Sequence, residues 1–138
     1  MLSWEFPPRS TSGIAAHVIG LATALAHGGH DVVVLTVADR PAEIAAVAPP
    51  DVRVLRTLVD LPWLQPSATV ARVAAANHAI TKLGSRFTDE LQGWRPDVVH
   101  GHDWQLGWAA DSLAWRYDVP LVLTMHGTEQ MRCGGQLS

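Results

Sequence analysis

The sequence predicts an α/β fold, a doubly wound parallel sheet of Rossmann-like design, and three observations carry that expectation. Asp31-Val-Val-Val-Leu-Thr-Val37 is an almost uninterrupted apolar run, the pattern of a strand covered on both faces. Pro96-Asp-Val-Val-His-Gly-His-Asp-Trp-Gln105 reads as a short buried strand that runs out into two histidines and an acid. A helical segment then leads to a second apolar run, Pro120-Leu-Val-Leu-Thr-Met125. Strand, helix, strand is a βαβ unit, which implies parallel pairing and a right-handed crossover.

Taken from the amino terminus, Met1-Leu-Ser-Trp4 is the end of a strand, very short for the first member of a parallel sheet, and further residues are expected before Met1. The turn from Glu5 to Gly13 cannot be helical through Pro7-Pro8. It delivers the chain to an amphipathic helix that begins near Ser12 or Gly13, with Ile14, His17, Val18, Leu21, Ala22 and Leu25 as its buried stripe. Gly28-Gly29 ends that helix, because glycine tolerates the left-handed conformation there. The second strand follows at 31–37. Pro41 to Ala48 is helical or irregular, and the alternation in Asp51-Val-Arg-Val-Leu55 predicts a third strand nearer the sheet edge.

Pro62 and Pro66 mark an irregular connection before a long helical pattern from Ser67 to about Gly93, carried by Val70, Val73, Ala74, Asn77, Ile80, Thr81 and Phe87. Gly84 is the place where that helix weakens or breaks. After the fourth strand, Asp103 is placed to cap a helix whose face comprises Leu106, Ala109, Ala110, Leu113 and Tyr117, widened by Trp104 and Trp108.

Composition narrows the function classes. The 138 residues suffice for one domain with a core, and 48% hydrophobic content is ordinary for a globular protein. The formal charge is −3 and Lys82 is the sole lysine, so the clustered basic stripe of a nucleic-acid surface is missing from the sequence. Cys133 has no partner thiol for an internal disulfide or a zinc knuckle. No basic leader precedes a long apolar region, and no apolar stretch approaches the roughly 20 residues of a bilayer span; the expected location is cytoplasmic.

In an open parallel sheet, ligands bind beyond the carboxyl ends of the strands. Three polar segments qualify here: Arg9-Ser-Thr-Ser-Gly13, His100-Gly-His-Asp103, and His126-Gly-Thr-Glu129 with Arg132. The first opens a helix whose free N–H groups and positive dipole end suit a phosphate, although Ser12 and Gly13 also suit an ordinary capped loop. No G-x-G-x-x-G or Walker pattern occurs. His100 and His102, two residues apart, share a strand face and can hydrogen-bond a sugar hydroxyl or a phosphate oxygen. They could also ligate a metal, which would need His100, His102, Asp103 and His126 to converge at bonding distance; H-x-H-D is a loose pattern for that, and no metal is expected. Asp103 suits a cap better than a catalytic acid. His126 follows the last strand directly and lies beside Gly127, where a ligand can approach the backbone. His17, His27, His30 and His78 are assigned no chemistry, and Trp104, Trp108 and Trp115 are read as core or helix-surface packing.

The combined pattern resembles the amino-terminal domain of glycosyltransferase family 4, enzymes of the GT-B fold. The likeness covers nearly the whole chain. It rests on Ser3-Trp-Glu-Phe-Pro-Pro8, on Ser12-Gly-Ile-Ala-Ala-His17 leading into Leu21-Ala-Thr-Ala-Leu25, on Gly29-His-Asp-Val-Val-Val-Leu-Thr36, on Pro96 to Trp104 and on Val119-Pro-Leu-Val-Leu-Thr-Met-His126. It implies a retaining transfer of a sugar from a nucleotide-sugar donor to an acceptor hydroxyl, without a catalytic metal or other cofactor, in a cleft between two Rossmann-like domains. Residues 1–138 would then be the incomplete acceptor-side domain. The carboxyl-terminal nucleotide-sugar domain, with the paired glutamates, would be absent and required.

Within that resemblance, Ser12 and Gly13 correspond to the glycine-rich loop near the donor phosphates, Ser12 standing where many relatives have the first of two glycines. His126 is similar to the histidine that contacts the transferred sugar. His102 with Asp103 is similar to an acceptor-side motif, and Glu129 with Arg132 to a polar loop of variable role. No catalytic residue is expected in this half, and half a cleft cannot organise the transition state. A noncatalytic metabolite- or partner-binding module of the same fold, or half of a GT-B nucleotide-sugar epimerase, remain alternatives, because fold does not determine chemistry.

Overall fold

A computed structural model of the chain describes residues 1–10, 12–59, 63, 68–90 and 93–127, with the side chains of 88–90 set aside. The strands are β1 (Leu2–Ser3), β2 (Val32–Ala38), β3 (Val52–Leu58), β4 (Val99–His102) and β5 (Leu121–Thr124). The helices are α1 (Gly13–His27), α2 (Pro41–Ile44), α3 (Thr69–Glu90) and α4 (Gly107–Tyr117). All strand pairings are parallel, in the order β3-β2-β1-β4-β5. The doubly wound α/β expectation holds, with β3 at an edge.

The order of strands reverses at β1, which lies between β2 and β4. Ser3 is level with Thr36 on one side and with His102 on the other, and His102 is level with Thr124. The carboxyl ends of β1, β4 and β5 therefore finish on one line. This is the rim at which a doubly wound sheet opens a crevice for ligands.

The two sheet faces are filled separately, as the alternation of side chains along a strand requires. Val32 and Val34 of β2 pack with Phe6, Val18 and Ala22 under α1, whereas Val33, Leu35 and Val37 pack with Ile80, Leu106, Leu113 and Tyr117 under α3 and α4. All seven residues of β2 are buried, which explains its continuous apolar sequence.

Local signals set the helix ends. Ser12 caps α1 in extended conformation, its Oγ accepting from Ile14 N–H at 3.1 Å. At the other end Gly29 takes φ +86°, and the N–H groups of Gly29 and His30 donate to Ala26 and Leu25 carbonyls. The left-handed glycine thus satisfies carbonyls that the helix leaves free.

Four expectations need correction. The helix α3 runs unbroken through Gly84, because the missing Cβ creates close packing there: one built on Gly84 would lie 2.7 and 2.9 Å from the methyls of Leu113 and 3.0 Å from Leu35 Cδ1. Val70 and Ala74 are exposed, so the buried stripe of α3 starts at Val73. Trp104 and Trp108 face solvent and do not widen the stripe of α4, while Trp115 lies on the helix surface, one of the two placements expected for it. Finally, His17 is exposed and is not part of the buried stripe of α1. Ala15 takes its place in the core, fully buried.

Candidate functional site

Three elements place the polar groups at the rim. β4 alternates Val99 and Gly101 toward α4 with His100 and His102 toward the α1 side. Gly101 is the reason α4 lies so close: a Cβ there would be 3.0 Å from both Ala110 Cβ and Leu123 Cδ1. His100 and His102 share a face as their spacing predicts, with stacked rings 4.2 Å apart. His100 is held by a 2.7 Å contact between its Nε2 and Thr124 Oγ1 on β5.

His102 is the centre of the site. It is fully buried, and its Nδ1 lies 3.2 Å from His126 Nε2 just beyond the end of β5. Its own Nε2 is buried without a hydrogen-bond partner among the described residues. Burial pushes the His102 imidazolium down to about 3, helped by the neighbouring imidazoles of His100, His126 and His17 and by the amino terminus. His100 is also lowered, again chiefly by burial. A ring kept neutral has one N–H donor and one lone pair, so His102 meets His126 as a dipole and fixes which nitrogen of that ring is engaged. Nδ1 of His126 is left outside the pair.

His17, in the second turn of α1, completes the cluster. Its ring is edge-on to both partners, 4.9 Å from His126 and 5.6 Å from His102 between centroids. Ser12 and Gly13, one turn earlier, form the exposed start of the same helix. Ser12, Gly13, His102 and His126 are thus brought to one end of the sheet. His17 was missed because its spacing from Ile14, Val18 and Leu21 fits an apolar stripe, and nothing local distinguishes a cleft-facing histidine from a core one.

Asp103 is also buried at the rim, with φ +64°, and its Oδ1 accepts from Trp104 N–H at 3.0 Å. It caps the single 3-10 turn Trp104–Leu106 rather than α4 itself, which begins at Gly107. Glu129 and Arg132 lie outside the described residues.

Glu5 is a second residue that the sequence did not single out. Its Oε2 accepts from both the N–H and the Oγ–H of Ser12 at 2.9 Å, so a carboxylate already sits against the positive end of α1. The loop carrying it is fixed from below: Arg56 of β3 donates to Pro7 O at 2.8 Å, and Arg9 pairs with Asp39 at 2.8 Å while lying 5.0 Å over the Trp4 ring. An acid seven residues before a cap leaves no periodic trace, which is why only the folded loop reveals it.

Comparison with known proteins extends this picture. The glycosyl transferase 4-like domain family matches residues 12–137. The whole chain aligns at 40% identity with a glycogen synthase of Mycobacterium tuberculosis, covering 35% of that protein. It aligns at 33% identity with an uncharacterized glycosyltransferase of Methanocaldococcus jannaschii, covering 33% of it. A D-inositol 3-phosphate glycosyltransferase of Xylanimonas cellulosilytica is 34% identical over 83% of the chain and 27% of its own length. The chain spans about a third of the length of the first two relatives.

Proposed function

The chain belongs to the glycosyl transferase 4-like family, and from that premise we propose that its rim is the acceptor-side half of a cleft in which a sugar passes, with retention, from a nucleotide-sugar donor to an acceptor hydroxyl. The observation that carries this reading is the His102–His126 pair, at the end of β4 and just past β5, set beside the start of α1.

Each group has a task the geometry suits. His126, its Nε2 engaged by the neutral His102, offers Nδ1 to a hydroxyl of the transferred sugar. The start of α1, with Ser12 and Gly13, favours the donor phosphates through its N–H groups and dipole. Glu5 competes for that position, so a phosphate that enters must displace the carboxylate or sit beside it on Gly13. Gly13 has open space where a side chain would be. Asp103 sets the path of the backbone between His102 and α4. On this reading the nucleotide sugar is a substrate, the chemistry uses no metal or other cofactor, and the second half of the cleft comes from the carboxyl-terminal length that the relatives have. The sugar acceptor, the glutamates and the polar loop of Glu129 and Arg132 belong to the same proposal.

The test is a chimera in which this chain replaces the aligned third of the Mycobacterium tuberculosis glycogen synthase. Sugar transfer by the chimera, reduced roughly a hundredfold by His126→Ala through the loss of one positioned donor, is the expected result. A chimera that folds and transfers equally well with and without His126 overturns the assignment.

A further inference from the structure

The three imidazoles at the rim converge on one another. Among the described residues, His17, His102 and His126 each offer a ring nitrogen, and these atoms all lie within 4.8 Å of one another. The 3.2 Å from His102 Nδ1 to His126 Nε2 is near the edge of a tetrahedron of nitrogens around zinc, roughly 3.4 Å for bonds of about 2.05 Å. His102 and His126 must give up their mutual hydrogen bond and turn their lone pairs to a common point, and His17, the exposed member of the three, moves inward by a change of rotamer.

We propose that His17, His102 and His126 bind a divalent transition-metal ion of the zinc class, and that the bound ion excludes the sugar from the rim. Three imidazoles and no carboxylate form a ligand set that suits zinc, copper, nickel or cobalt in preference to magnesium or calcium. The buried Nε2 of His102 has no hydrogen-bond partner among the described residues; Nδ1, paired with His126, is the nitrogen placed to meet the ion. His100 stays outside the set because Thr124 holds its Nε2; its ring backs His102 instead. The fourth coordination position faces the crevice and takes water or a phosphate oxygen.

The site itself stands on the geometry of the three rings. Exclusion of the sugar rests additionally on the proposed role of His126: the ion is held on Nε2 and leaves Nδ1 unligated, so it is the ion with its fourth ligand, facing the crevice, that takes the sugar's place beside that ring. The ion is therefore an inhibitor and not a cofactor.

The experiment separates the two parts. Zinc is titrated into the full 138-residue chain carrying Cys133→Ser, in competition with a chromophoric chelator, and the titration is repeated with His17→Gln, His126→Gln and, as a remote control, His78→Gln. The expected result is tight binding that weakens at least roughly tenfold with either rim substitution and is unchanged by His78→Gln. Equal affinity in all four proteins overturns the site. Should a rim variant fail to fold, cobalt added to the unsubstituted chain gives a second readout: paramagnetic broadening centred on the rings of His17, His102 and His126 supports the site, and broadening centred on His27 and His30 overturns it. In the active chimera, zinc inhibition relieved by chelator is the expected sequel; zinc that binds these rings without inhibiting removes the exclusion and leaves the metal site standing.

Discussion

At the scale of single residues, His102 shows how burial turns a common side chain into a specific device. The fold holds its pKa near 3 against an ordinary value of 6.5, so between those limits the unfolded chain binds a proton that the folded chain refuses. Stability from this group is complete above about pH 6.5 and is lost as pH falls toward 3. We expect the urea midpoint to drop between pH 7 and pH 5, with His102 contributing up to about 2 kcal/mol of that loss. The change should be smaller in His102→Asn, and identical slopes in the two proteins would refute the assignment. The histidines at 100, 102 and 126 were legible in the sequence as the ends of two strands. His17 and Glu5 were not, because each reaches the rim from a segment whose local pattern already had another explanation.

At the scale of elements, glycines decide how closely helices approach the sheet. Gly101 lies under Ala110, whose Cβ is fixed to the α4 backbone and cannot swing aside. A Gly101→Ala substitution should therefore cost about 1–3 kcal/mol through overpacking, seen as a lower melting temperature. By contrast Gly20, in the interior of α1 and exposed, has open space around a Cβ, and Gly20→Ala should stabilise by about 0.5–1 kcal/mol. Equal effects at the two positions would mean that the α4–β4 contact is loose. The sequence marked where α1 begins and ends, because caps and left-handed glycines act within a few residues. It misread Gly84 as a weak point in α3, because a glycine required by packing against Leu113 looks in one dimension like any helix breaker.

At the scale of the whole molecule, protection is uneven across the sheet. β2 is buried along its entire length between β1 and β3, whereas β5 lies at the edge opposite β3, with Leu121, Val122 and Leu123 39–45% exposed. Hydrogen exchange of the β5 amides should accordingly be faster than that of β2, since local opening costs least where few side chains are buried. Matching protection factors would show that β5 opens only with the entire sheet. No helix among the described residues is long and apolar enough to cross a membrane.

The sequence alone determined the parallel α/β class, the order of strands and helices, and the three strand ends that carry polar groups, because hydrophobic period, caps and turn residues are local properties written along the chain. Only the tertiary structure decided that α1 lends a histidine to the rim, that Glu5 faces the start of that helix, and that His102 is neutral. Each of these depends on which distant segments lie side by side and on how much water they exclude, and burial of that kind exists only once the sheet is assembled.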